Sequence, residues 1–146
     1  YNIGGVSGGS GIDIKDLDFS NETVNDTQKK IVAVATNSAK YGISARSGYC
    51  QAWVADVYQA VTGSRGSAHC ALCAADMWAV SSDFSQIPVG ATVYGYSSSK
   101  YGHVGIYIGN GMVAHNIGEI KIQSLESWIK TYKGFAWGWE NGKKLV

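Results

Sequence analysis

Sixteen consecutive residues, Tyr101-Gly102-His103-Val104-Gly105-Ile106-Tyr107-Ile108-Gly109-Asn110-Gly111-Met112-Val113-Ala114-His115-Asn116, constrain the fold more than any other stretch. Side chains alternate along a strand, so Val104, Ile106 and Ile108 share one face and His103, Gly105 and Tyr107 the other. Gly109-Asn110-Gly111 supplies the positive-φ positions of a tight connection, and the stretch reads as a β-hairpin. If Asn110-Gly111 alone formed the loop, His115 would pair with Ile106 and project away from His103. A three-residue loop, Gly109 to Gly111, pairs His115 with Gly105, on the same face as His103 and diagonal to it. Such loops with a left-handed Gly are common, so this is the expected register. Asn116 then points to the opposite face; with the shorter loop His115 and Asn116 would exchange roles.

The chain before the hairpin reads as helical. Gly4-Gly5-Val6-Ser7-Gly8-Gly9-Ser10-Gly11 lies in a segment, residues 1–20, that reads as a flexible linker, with the domain spanning 21–146. Asn25 followed by Gln28 forms a capping-box pattern, and Val24, Gln28, Ile31, Ala35 and Ala39 recur at helical spacing up to Gly42. Trp53, Val54, Val57, Tyr58 and Val61 make the apolar stripe of a second helix, with Cys50 on its first turn and Gly63 at its end. Ser67 is the expected cap of a third, Ala-rich helix running to about Val80. From Val89 the period becomes two, with Pro88 at the strand's start, where a missing N–H does least harm. Beyond the hairpin come a short strand at Glu119–Ile122, a helix from Leu125 to about Tyr132 capped by Ser124, and a strand at 135–139. Helices first and an antiparallel sheet second make the fold class α+β.

Length and charge remove several function classes. At 146 residues the chain suits one core, and a net charge of +1 with no Lys/Arg cluster offers no nucleic-acid footprint. No apolar run reaches the ~20 residues of a membrane span, and no signal-peptide pattern is visible. A start at Tyr1 rather than Met points to a processed form or a piece of a longer protein. Three cysteines leave at least one thiol free.

The chemistry sits on Cys50, His103 and His115. A helix N-terminus favours negative charge and is expected to lower the Cys50 thiol pKa. His103 is the expected base, and His115 the group that fixes its tautomer and orientation, the logic of a hydrolase triad with histidine in the third role. Helix-borne Cys followed by strand-borne His and a polar partner is the order of papain-like folds. The segment from Gly102 to Gly111, with His115 beyond it, closely resembles the NlpC/P60 family of bacterial cell-wall peptidases, whose catalytic histidine lies in such an HVGIY-x-GNG strand. The resemblance runs from about Thr27 to the C-terminus. Around the cysteine, Gly48-Tyr49-Cys50-Gln51-Ala52-Trp53-Val54 looks more like the related CHAP amidase and peptidase family, since NlpC/P60 members usually carry Asp before and Ser-Gly after the cysteine.

The resemblance implies a papain-like fold and a secreted cysteine peptidase acting on peptidoglycan in the bacterial cell wall. The bond implied is that between D-glutamate and the diamino acid of the stem peptide, with no metal or organic cofactor. A CHAP-type N-acetylmuramoyl-L-alanine amidase or cross-bridge peptidase is the alternative within enzymes, a non-catalytic wall-binding module the alternative outside them. The family's oxyanion tyrosine maps to Ser44 or Ala45, which leaves the backbone N–H of Cys50 as the expected oxyanion donor. Tyr49 and Arg65 are candidate substrate contacts, Arg65 reading more simply as loop packing. His69-Cys70-Ala71-Leu72-Cys73 offers three zinc-type ligands in one helical turn with no second pair, so its cysteines are expected to be small buried residues. Trp137 and Trp139 read as core and edge of the last strand. The expected assembly is a monomer tethered to a further N-terminal domain.

Overall fold

The computed structural model describes residues 22–146; the segment 1–20 read as a linker lies outside them. α1 (Asp26–Thr36) starts at Asn25, whose side chain accepts from the Gln28 amide at 2.9 Å while Gln28 Oε1 accepts from the Asn25 amide at 2.7 Å. This is the expected capping box, two orphan donors satisfied reciprocally. Gln28 is itself buried, and its Nε2 donates to Val89 O at 3.0 Å, tying α1 to the chain entering the sheet. A 3₁₀ turn, Ser38–Tyr41, extends the helix to Gly42 at φ 74°. α2 (Cys50–Thr62) buries Trp53, Val54, Val57 and Tyr58 and ends at left-handed Gly63.

The third helix departs from expectation. α3 (Ala71–Trp78) begins later than a Ser67 cap requires, because the chain stays extended through Cys70, whose Sγ accepts from the Cys73 amide at 3.0 Å. It also ends earlier. Ala79–Ser81 form an edge strand, β1, whose Ala79 pairs with Gly138 of β6 (Ala136–Gly138). A Cβ at Gly138 would stand 2.2 Å from Trp78 O, so that glycine is what admits the backbone contact that pulls Ala79 out of the helix. Cys70 and Cys73 are joined in a disulfide and Cys73 is exposed, which corrects the reading of both as small buried thiols. Cys50 is the free cysteine.

The described strands form one antiparallel sheet in the order β1-β6-β2-β3-β4-β5, where β2 is Thr92–Gly95, β3 His103–Gly109, β4 Met112–Asn116 and β5 Ile120–Ser124. β2 is shorter than the alternation from Val89 suggested, because Gly90 turns the chain at φ 93°. In the hairpin, Ile106 faces Ala114 and Tyr107 faces Val113. Gly109 pairs with Met112, so the loop is Asn110-Gly111 alone and not the expected Gly109–Gly111. Continued one step beyond Ile106 and Ala114, past the bulge, the register still sets Gly105 opposite His115, the pairing the longer loop was expected to give. The register shift falls between Tyr107 and Gly109, with Ile108 the extra residue. A bulge of this kind increases the local twist. β3 is buried along its whole length, so both its faces are covered. α4 (Leu125–Tyr132), capped by the Ser124 side chain on the Ser127 amide at 3.1 Å, brings Trp128 and Tyr132 against the histidine end of that strand.

Candidate active site

Cys50 is placed by the loop before it. Gly48 at φ 83° turns the chain, the Tyr49 amide donates to Arg46 O at 3.2 Å, and Tyr49 O accepts from Trp53 N at 3.0 Å to open α2. Asn116, buried at the end of β4, donates from Nδ2 to Arg46 O at 2.8 Å and to Tyr49 O at 3.3 Å. It faces away from His115 as expected, and from there it clips the cysteine loop to the sheet.

His103 and His115 meet as the register dictates. His103 Nε2 and His115 Nδ1 are 2.9 Å apart, with the rings nearly perpendicular. Gly105 leaves room for this: a Cβ there would be 2.6 Å from Val113 Cγ1 and 3.2 Å from His115 Cβ. His115 Nε2 lies 3.1 Å from Gln123 Oε1 on β5. Gln123 Nε2 in turn donates to Ser127 Oγ at 2.7 Å and Thr131 Oγ1 at 3.3 Å on α4. The chain of bonds assigns tautomers. With Oε1 as the acceptor, neutral His115 carries its proton on Nε2 and accepts on Nδ1, so His103 carries its proton on Nε2. Nδ1 of His103 keeps its lone pair.

Burial sets the electrostatics. Desolvation holds His103 down at about 4 and His115 at about 3, the latter also by the neighbouring His103 charge. Desolvation likewise pushes the Cys50 thiol up, against the lowering effect of amides at Val104, Gln51 and Cys50 itself. This corrects the expectation that the helix N-terminus alone would lower it: for a half-buried thiol the cost of a charge in low dielectric is the larger effect. The resting pair is therefore thiol and neutral imidazole. Among the described residues no hydrogen bond joins them; they share the wall of one cleft of about 1020 Å³.

That cleft is walled by the loop 47–49 with the first turn of α2, by residues 65–71, by the turn 97–102, and by Ile117 and Tyr132. Tyr132 stacks on His103 with ring centroids 4.1 Å apart; burial raises its phenol pKa, with a lesser contribution from nearby Cys50. Tyr49 is half exposed at the mouth with the Arg46 guanidinium 4.2 Å over its ring. Arg65 lines the cleft, but its guanidinium is engaged by Asp56 and by Gln59 Oε1 at 3.3 Å. His69 also lines it; Cys70 and Cys73 spend their sulfurs on each other and are not thiolate ligands. Sequence reasoning passed over Gln123, Tyr132 and the clip made by Asn116. The signals were faint: a polar residue at the end of a strand, and an aromatic on the inner stripe of a short helix.

No family model matches the chain, and no curated protein sequence matches it. Solved structures do. The crystal structure of the NlpC/p60 domain of the peptidoglycan hydrolase SagA superposes with a TM-score of 0.56 at 23% identity, over 79% of this chain and 98% of that one. NlpC2 from Trichomonas vaginalis superposes with a TM-score of 0.55 at 18% identity, over 88% of this chain. This chain spans 50% of the length of that protein. At these identities the likeness is one of fold: the chain has the papain-like α+β architecture of NlpC/p60 domains.

Proposed function

We propose, from that fold as premise, that the chain is a peptidoglycan hydrolase: a cysteine endopeptidase that cuts stem peptides, in the first instance at the D-γ-glutamyl-diamino acid bond. The observation that carries the reading is the relay from Gln123 through His115 to His103, which commits His103 Nε2 and leaves Nδ1 as the free base in the cleft that Cys50 lines.

In this mechanism Cys50 passes its proton to His103 Nδ1 as Sγ attacks the amide carbonyl. The imidazolium so formed donates from Nε2 to His115 Nδ1, a charge-assisted bond that needs no rearrangement. The oxyanion is met by the Cys50 amide at the uncapped N-terminus of α2. His103 then gives its proton to the leaving amine, leaving a thioester on Cys50. Water attacks that thioester and gives a proton to His103; collapse frees the acid, and the proton returns to sulfur. Tyr49, at the mouth, contacts the stem peptide, while Arg65 serves mainly to hold its loop. The chain works outside the cytoplasm, at the bacterial cell wall, as a monomeric module tethered to a further domain.

A synthetic muropeptide, N-acetylmuramic acid carrying its stem peptide, tests this. The wild type is expected to release free diamino-acid amine, and Cys50→Ala and His103→Ala to release none above background. Turnover by Cys50→Ala would sink the assignment. Release of stem peptide from muramic acid instead would move the chain to the amidase class that its cysteine flank resembles.

A further inference from the structure

Glu140, just past β6, is fully buried and takes no part in the chemistry above. Its Oε1 accepts from Gln51 Nε2 at 2.9 Å, and Gln51 is the residue after Cys50. Among the buried side-chain atoms without a hydrogen-bond partner are the other two oxygens of this same pair, Gln51 Oε1 and Glu140 Oε2. Both are acceptors as the amide and a carboxylate stand, so neither can satisfy the other, and each is costly to leave unpaired. One proton on Glu140 Oε2 resolves both, since a protonated carboxyl is a donor as well as an acceptor.

We infer that Glu140 is a neutral carboxylic acid in the folded protein at pH 7, closed in a two-bond acid–amide ring with Gln51, and that this ring is a positioning device for the Cys50 end of α2. The packing admits it. Gly66, on the loop that walls the cleft, lies so close that a Cβ there would be 2.3 Å from Glu140 Oε2 and 2.8 Å from Trp78 Cη2. The carboxyl thus sits buried between the cysteine helix and the cleft loop. Its other neighbours are Tyr58 of α2 and Tyr94 of β2, both phenols with raised pKa values, and Arg65, a cation already engaged by Asp56. Burial pushes Glu140 up to about 6 against the lowering effects of Gln51 and Arg65. A bond donated by the acid proton forms only with the neutral form and raises it further. When Glu140 ionises, the ring opens: a carboxylate then faces Gln51 Oε1 across one residue from the thiol. The reactivity of Cys50 is coupled in this way to a proton that the catalytic cycle never touches.

Two measurements test the inference without any substrate. Infrared spectra of protein labelled with ¹³C-glutamate should show a carboxylic-acid C=O band at pH 7 that disappears in Glu140→Gln, whose amide reproduces the neutral acid's two bonds. The ratio of wild-type to Glu140→Gln rates of Cys50 alkylation by iodoacetamide cancels the titrations of Cys50 and His103, which both proteins share. That ratio should stay near unity while the acid band persists, then move by about fivefold as the band is lost at higher pH, the scale of one hydrogen bond. A carboxylate band for Glu140 at pH 7, a ratio that is flat across the loss of the acid band, or a Glu140→Gln protein that does not fold would each overturn the inference.

Discussion

His103 has one nitrogen that the fold commits and one that it leaves open. Nε2 is held by His115, itself fixed through Gln123, so the open Nδ1 is a base in every state in which the ring is neutral. Burial holds that ring at about 4, so the base is available through most of the acid range. The pH profile of kcat/KM is predicted to be flat from neutrality down to about pH 5, with one acid limb near 4; a limb at the ordinary histidine value of 6.5 would contradict the buried assignment. Gln123→Leu removes the acceptor that sets the His115 tautomer. It is expected to lower kcat by about tenfold with KM little changed, because the bond matters most when His103 is charged. An equal loss in both parameters' ratio through KM alone would assign Gln123 to binding.

At the scale of elements, the hairpin was legible and the edges of the sheet were not. Period-two alternation, a Gly-Asn-Gly turn and Gly105 are local signals, and they carried the register that brings His103 and His115 together. The start of α1 at Asn25 and the Ser124 cap of α4 were legible for the same reason. What defeated the reading of α3 was non-local. The contact of Gly138 with Trp78 ends the helix, and Gly138 lies 60 residues further on. Tyr132 and Glu140 were invisible on the same account, since each acquires its partner from a distant element, while Gln123 meets His115 and Ser127 only once the pairing of β4 with β5 and the packing of α4 are fixed. The Cys70–Cys73 bond joins two residues that local spacing alone would have allowed to remain free thiols. Gly105→Ala is predicted to destabilise the fold by about 1–3 kcal/mol in denaturant unfolding, because the new methyl must displace Val113 from a packed sheet. Asn116→Ala should cost about 1 kcal/mol and speed alkylation of Cys50, since it releases the carbonyls of Arg46 and Tyr49. An unchanged alkylation rate would remove Asn116 from the positioning of the thiol.

At the scale of the molecule, the buried ionisable groups pull stability in opposite directions with pH. His103 and His115 have folded pKa values below the 6.5 of the free side chain, so the unfolded chain binds more protons in the acid range. Their contribution is fully present above 6.5 and is lost as pH falls through about 4 and 3, on the order of several kcal/mol for the two together. Glu140 runs the other way. Its folded value is raised above the ordinary 4.5 by burial, so the stability it contributes is present below 4.5 and is lost as pH rises through that raised value. Urea unfolding at stepped pH should therefore show a steep acid loss between 6.5 and 3 that His115→Gln flattens; an equal loss in that variant would place the acid sensitivity elsewhere. The Cys70–Cys73 bond closes a short loop, and its removal by double substitution to Ser is expected to cost roughly 2 kcal/mol.

The central claim, that Cys50 with His103 and His115 cleaves an amide of the cell wall, is met most directly by digesting purified peptidoglycan with wild type and with Cys50→Ala. The released fragments are then identified by mass spectrometry. The wild type is expected to release fragments ending in D-glutamate and the variant none. Fragments released equally by both proteins, or by neither, would contradict the claim.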